Sequence, residues 1–315
     1  MIMAMLLDGS LVLLILVVAV WTIAVHDSFA AVVGYTVYGL LLALAWVRLA
    51  AVDAALTEAA IGGGLTGVLL IRAAVRLRRT EAVSRAETPG PLFRVMAALV
   101  AASIAAALAV VVLSLPEPGP TLAPYVAQHI ATTGLGNAVT AVLLSFRAID
   151  TLLEAVVLIF ALIAVWTLTP ERFWGGLPGP KYETDPNGML AYLARLLPPI
   201  GIVVAVYVLW VGADLPGGKF QAGTLLAAMW LLAIMAGLTE APPISSRWLR
   251  GMLVAGTVVF LVIGFAGVPL AGAFLAYPEG YAKPLIIAIE AASMASIAFT
   301  LALLVLGPPE RSDRR

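Results

Sequence analysis

Cysteine is absent from the 315 residues, which excludes disulfides, thiolate metal centres and cysteine nucleophiles. Histidine occurs twice, at His26 and His129, too few for a metal centre built from imidazoles. Charge is scarce as well: 11% of the residues are Asp, Glu, Lys or Arg, against about 25% in a soluble domain. The formal net charge is +0 and no basic face alternates with aromatics, so nucleic acid is not an expected partner. Neither clustered aspartates fit for a metal-bound diphosphate nor a Ser/His constellation is present, which argues against a membrane-embedded transferase. No metal and no cofactor is expected.

What the chain has instead is apolar sequence, 62% of all residues. Runs of about twenty apolar residues fall at 10–26, 29–51, 55–75, 95–115, 150–169, 193–213, 220–238, 248–272 and 283–306. Each is long enough to cross a hydrocarbon core of roughly 30 Å as a helix, the form that satisfies its own backbone. The expected fold class is therefore all-α: a polytopic integral membrane protein of about nine transmembrane helices. Because Asp8 precedes the first run and no basic stretch does, 10–26 reads as a retained span rather than a cleaved signal.

The segment 126–148 is moderately apolar but carries polar residues, and charge asymmetry decides its reading. If it does not span, 14 of the 18 basic residues fall on one side, leaving Arg48, Arg147, Lys219 and Lys283. A tenth span would send the eight from Arg172 onward across. The positive-inside rule thus favours nine spans, the N-terminus out and the C-terminus in, with 126–148 an in-plane or tilted amphipathic helix. Two polar connections, one arginine-rich around 76–91 and one rich in Gly and Pro at 169–188, divide the chain. The expected modules are 1–78 (three helices), 79–94 (basic linker), 95–170 (two helices and the amphipathic helix), 171–192 (loop) and 193–315 (four helices).

Charges inside such runs cost roughly 2.5–3.5 kcal/mol each on insertion scales, so they are normally paired and functional. On a continuous helix Thr133, Asn137, Thr140, Arg147, Asp150, Thr151 and Glu154 would share one face, ending in an Arg/Asp/Glu cluster. Arg147 and Asp150 are placed to pair, with Glu154 deeper as a proton station and Asn137 and Thr140 lining the approach. The competing reading is a static salt bridge anchoring the helix at the interface. Asp53 and Glu58 open the third span, Glu58 as a relay carboxylate and Asp53 either at the aqueous edge or as a helix cap. Glu290 lies in the last span with no neutralising neighbour in sequence, so it must be protonated or paired across helices. Gly217, Gly218, Phe220 and Gln221 begin a span at which consecutive glycines permit an unwound start or a tight turn. Gly63 and Gly67 read as a helix-packing pair, and His129 as interfacial.

Four stretches resemble one family in co-linear order. VDAALTEAAIGGGLTGVLL (52–70) resembles the "APDxALTE…G" helix near the carboxyl end of the large subunit of Mrp-type multisubunit cation/proton antiporters, a helix also found in a small subunit of membrane-bound hydrogenases. GNAVTAVLLSFRAIDTLLEAVVL (136–158) resembles the "NVVTxVLxDFRGxDTxGExxVL" stretch that follows it. LPGGKFQAGTLLAAMWLL (215–232) resembles the "PGGGFQGGxxxA" signature of the antiporter B subunit, and IIAIEAASMASIAF (286–299) its closing Glu-bearing helix. Ser145 stands where the family often has Asp, Ala148 where it has Gly, and Leu153 where Gly precedes the Glu. Lys219 interrupts the triple glycine, and Gly212-Ala213-Asp214 replaces a customary Gly-His.

The resemblance implies the carboxyl-terminal region of an A subunit joined to a B subunit, without the large channel module that usually precedes them. It further implies a non-enzymatic membrane subunit in the plasma membrane, a hetero-oligomer with other antiporter-complex subunits, with Na+ and H+ as its ions. Glu58, Glu154 and Glu290 would be the protonatable stations of a lateral path. Two alternatives stay open: an ion-translocating subunit of a redox-driven complex such as a membrane-bound hydrogenase, and a purely structural subunit.

Overall fold

The computed structural model describes residues 2–84, 90–116, 119–182 and 184–312, so part of the arginine-rich linker and of the basic carboxyl end lies outside them. The described chain is all-α apart from one short ribbon. Its helices are α1 (Ile2–Ala24), α2 (Ser28–Arg48), α3 (Val52–Leu77), α4 (Pro91–Ser114), α5 (Ala123–Thr133) and α6 (Ala138–Phe146). They continue with α7 (Ala148–Thr167), α8 (Met189–Val211), α9 (Lys219–Met235), α10 (Arg247–Ala271) and α11 (Ala282–Leu306). Among the described residues, eight helices are long and apolar enough to cross a membrane, which makes the chain a polytopic membrane protein. The expected span at 220–238 is the shorter α9, which ends at Met235 and gives way to Gly237 at φ +71°.

Helix α11 is the centre of the molecule. Over its membrane-length window 61% of the residues are buried, against 28% or less in every other span. It packs on α7, α9 and α10. Small residues set the approach: a Cβ on Gly256 of α10 would stand 2.7 Å from the Ser293 Cα. Apolar side chains gain little from leaving lipid for protein, so close backbone approach and interhelical hydrogen bonds carry much of the association. Ser296 Oγ donates to the Met252 carbonyl (2.8 Å) and accepts from the Gly256 N–H (2.8 Å), tying α11 to α10. At the far end of α11, β2 (Pro309–Arg311) pairs antiparallel with β1 (Leu177–Pro178). By contrast, no residue of α1 or α4 is buried. Helix α1 rests on α2, where the exposed Arg48 and Asp8 pair at 2.7 Å.

The segment 126–148 is not the single in-plane or tilted helix expected from its composition. It falls into α5 and α6, bent by 85°. Gly134 closes α5 in the left-handed region (φ +68°), and Asn137 opens α6 by accepting the Val139 N–H on its own side chain (2.8 Å). The turn between them is held from outside: the N–H groups of Gly136 and Asn137 both donate to the Ala213 carbonyl, at 3.0 and 3.1 Å. A second break follows at Arg147 (φ −132°, ψ 38°), between α6 and α7.

Two stretches wind as π-helix, Glu58–Leu65 within α3 and Val142–Phe146 at the end of α6. In each the extra residue per turn frees backbone groups, a local geometry that recurs at functional sites. Tyr277, in the connection before α11, donates its hydroxyl to the Leu144 carbonyl in the second stretch (2.7 Å). Burial pushes that phenol up to about 12.

Candidate functional site

A cavity of about 580 Å³ lies where the start of α3, the start of α6, the turn before α9 and the side of α11 meet. Its walls include Asp53, Glu58, Thr140, Gly217, Gly218, Phe220, Gln221 and Glu290, brought from four places in the sequence. Lys219 lines it too.

Asp53 does not cap its own helix. The N-cap position of α3 belongs to Ala51, and the Asp53 carboxylate turns instead toward the rest of the fold. Its Oδ1 accepts the Gly217 N–H at 3.0 Å, and Asn137 Nδ2 lies 3.3 and 3.4 Å from its two oxygens. The same Asn137 amide donates to the Leu215 carbonyl (3.0 Å), so one buried side chain joins α3, α6 and the turn before α9. Thr140 Oγ1 donates to the Gly212 carbonyl at 2.6 Å, and Gln221 Nε2 to Thr57 Oγ1 at 2.9 Å. These amides and hydroxyls therefore hold the walls together.

Glu58 sits on the π-helical turn, its carboxylate against the Gly62 backbone. A Cβ at Gly62 would collide with it, and one at Gly39 of α2 would stand 2.8 Å from the Gly63 Cα. Glycine on both helices lets α2 and α3 close while leaving room for a charged side chain. Gly67 meets Thr36 of α2 in the same way.

The glycines before α9 take backbone angles that favour glycine, φ +151° at Gly217 and +135° at Gly218. Both are buried, with Gly217 against the Val208 carbonyl and Gly218 against Glu290. The turn is thus an irregular strand of backbone packed tightly inside the protein, which membranes admit where it is enclosed or lines a cavity. Glu290 is 4% exposed, the Lys219 N–H faces its carboxylate, and its Oε2 has no hydrogen-bond partner among the described residues.

The Arg147, Asp150 and Glu154 cluster is elsewhere. Because the helix breaks at Gly134–Asn137 and again at Arg147, the polar stripe does not lie on one face. Thr133, Asn137, Thr140 and Thr151 are buried, whereas Arg147 and Asp150 pair at 2.6 Å with side chains 70% and 52% exposed. Glu154 is exposed on α7 and does not line this cavity, though it is within electrostatic reach of Lys219. His129 is exposed on α5, its Nδ1 2.8 Å from the Tyr125 carbonyl.

Lys219 is the residue the sequence did not single out as a site. It is 5% exposed, and Glu154 and Glu290 are the acids whose charges act on it. The available signal was its substitution into a glycine triplet, at the first turn of a span. Outside the cavity lining, just before the glycine turn, Asp214 binds Lys283 (2.7 and 2.8 Å) and accepts the Gly136 N–H (3.1 Å). The Lys283 ammonium holds the Asp214 carboxyl below its usual range.

Comparison with known proteins places family boundaries on this geometry. Residues 13–79 match the MbhD family, the D subunit of MBH, and residues 189–308 a "domain related to MnhB subunit of Na+/H+ antiporter". Asp53 and Glu58 come from the first match; Gly217, Gly218, Lys219, Gln221 and Glu290 come from the second. An uncharacterized protein of Methanocaldococcus jannaschii is 25% identical over 154 residues, covering 44% of this chain and 59% of that protein. The chain thus spans less than two thirds of that curated relative. A chain in the structure of the Mrp complex from Dietzia sp. DQ12-45-1b superposes with a TM-score of 0.73 at 24% identity, over 98% of this chain and 35% of that one. A chain of the membrane-bound sulfane sulfur reductase, an archaeal respiratory membrane complex, gives a TM-score of 0.57 at 25% identity, over 68% of this chain and 97% of that one. The cavity is thus lined both by a segment matching MbhD and by a domain related to the MnhB subunit of Na+/H+ antiporter, in a chain that shares the fold of a chain of the Mrp complex.

Proposed function

We propose that the chain is a membrane subunit of an Mrp-type cation/proton antiporter assembly and supplies part of a lateral path for protons and Na+. The observation that carries this reading is the cavity at the junction of its two family segments. Three carboxylates, Asp53, Glu58 and Glu290, converge there in a membrane protein with few charges. Inside a protein, where charges interact more strongly than in bulk water, such acids attract a proton or a small cation. Glu58 and Glu290 serve as stations, Asp53 and Asn137 hold the mouth, and Glu154 stands nearer the surface where the path passes to a neighbouring subunit. The working unit is a hetero-oligomer in the plasma membrane, N-terminus out and C-terminus in, and this subunit carries no reaction chemistry of its own.

A second reading, an ion-translocating subunit of a redox-driven complex, is favoured by the match that covers 97% of a chain from the sulfane sulfur reductase. Proteins co-purifying in mild detergent separate the two. Antiporter-like subunits alone support secondary exchange, whereas iron–sulfur or nickel subunits point to redox coupling.

The transport reading is tested with Glu290→Gln and Glu154→Gln in the assembled complex, reconstituted in vesicles under an imposed pH gradient. Loss of about a hundredfold or more in cation/proton exchange is expected for Glu290→Gln, the size of effect typical for a proton-transfer group. Unchanged exchange in both variants, with normal assembly, would leave a purely structural subunit.

A further inference from the structure

Lys219 lies in the walls of two cavities at once. On one side is the 580 Å³ space with Asp53, Glu58 and Glu290; on the other is a space of about 20 Å³ lined by Ser293, Ser296, Thr257 and Thr300. No other lysine or arginine among the described residues lines either one. The larger space therefore holds three carboxylates against a single built-in cation. Asp53 is already answered by the Gly217 N–H and the Asn137 amide. Glu290 is answered on one side only, by the Lys219 N–H: its Oε2 is buried without a hydrogen-bond partner among the described residues, beside the turn that carries Lys219.

The small space offers the ammonium a second position. At about the volume of one water molecule it admits a single polar group. Ser293 Oγ, buried and without a hydrogen-bond partner among the described residues, lines it and can accept from an ammonium. A lysine has a flexible four-carbon stem, so one side chain can reach either neighbour without a backbone change. The charged groups facing it are Glu290 from α11, with Asp53 behind it, and Glu154 from α7.

Its ammonium stands over the Phe220 ring, 5.3 Å from the centroid, between the two spaces. Resting on the transport reading, we propose that Lys219 is a tethered internal cation that competes with a transported cation for Glu290 and is displaced toward Ser293 when one arrives. Two like charges at the one unsatisfied carboxylate oxygen repel each other, more strongly inside a protein than in water. Lysine and cation then alternate, and the lysine sets the cation concentration at which the path operates.

The test uses the assembled complex in vesicles, with cation/proton exchange followed against Na+ concentration. Lys219→Met removes the competitor, and half-saturation by Na+ is expected to fall by roughly tenfold, within the ordinary range of binding couplings. Lys219→Gln is expected to do the same. Ser293→Ala removes the retreat position and is expected to raise half-saturation. A wild-type complex that exchanges Na+ for protons, together with variants whose half-saturation is unmoved, overturns the proposal while leaving the transport reading standing. A wild-type complex without exchange overturns the transport reading, and the proposal with it. If neither lysine variant assembles, carbamylation of Lys219 by cyanate in the wild-type complex decides. Na+ should speed it severalfold by freeing the amine from Glu290, and a rate insensitive to Na+ overturns the proposal.

Discussion

Asn137 Nδ2 lies 3.3 Å from Asp53 Oδ1, joining the start of α6 to the start of α3 across 84 residues of sequence. The same carboxylate oxygen takes the Gly217 N–H at 3.0 Å, so Asp53 ties down the turn before α9. Replacing Asp53 with Ala strands buried donors on both partners, at a cost of about 1–3 kcal/mol. The midpoint of thermal or denaturant unfolding of the purified complex is expected to fall accordingly. Asp53→Asn retains an acceptor for the Gly217 N–H and is expected to lose less.

Glu58 and Gly62 form one unit, because the carboxylate occupies the space a Cβ at Gly62 would need. Gly62→Ala is expected to lower exchange by displacing Glu58, and Glu58→Gln by removing its charge. The double variant is then expected to be no worse than the poorer single, since neighbouring residues that act together are not additive. Initial exchange rates of the three assembled variants check this; additive losses would separate the two residues.

The Arg147–Asp150 pair is mostly solvent- or partner-facing, and such exposed pairs contribute about 0–1 kcal/mol. Arg147→Ala is expected to leave the stability of the isolated subunit almost unchanged. A large drop in its unfolding midpoint would show that the pair is held far more rigidly than its exposure implies.

The Asp214–Lys283 link bears on pH. Its carboxyl is held below the ordinary 3.8, so the stability it contributes is present above that value and is lost as pH falls through the lowered folded-state value. The gap in melting temperature between the wild type and Asp214→Asn is therefore expected at neutral pH and should close in strong acid. A gap that persists below the folded-state value would assign it to the Gly136 contact instead.

The segment 126–148 shows where reading the sequence stopped short. Its helical spacing put seven polar residues on one face, an inference that assumes an unbroken helix. Gly134, Gly136 and Asn137 carry the turn that breaks it, and the partner that holds the turn open is the Ala213 carbonyl, remote in sequence. Splitting the stripe sent Asn137 and Thr140 inward and left Arg147 and Asp150 outside. Lys219 failed to stand out for a related reason. A lone lysine next to glycines at a span edge looks like an interfacial residue, and only the packing of α7 and α11 around it makes it buried.

Composition and hydropathy by themselves determined that the chain is an all-helical membrane protein and roughly where its spans lie, because a backbone in lipid has few ways to satisfy its own hydrogen bonds. They also marked Asp53, Glu58 and Glu290 as costly charges needing a reason. Tertiary structure alone decided that these three face one cavity, that Asn137 and Gly217 hold its mouth, and that Lys219 stands among them. Periodicity reports the faces of a single helix, whereas a site in a bundle is made by which faces of different helices meet.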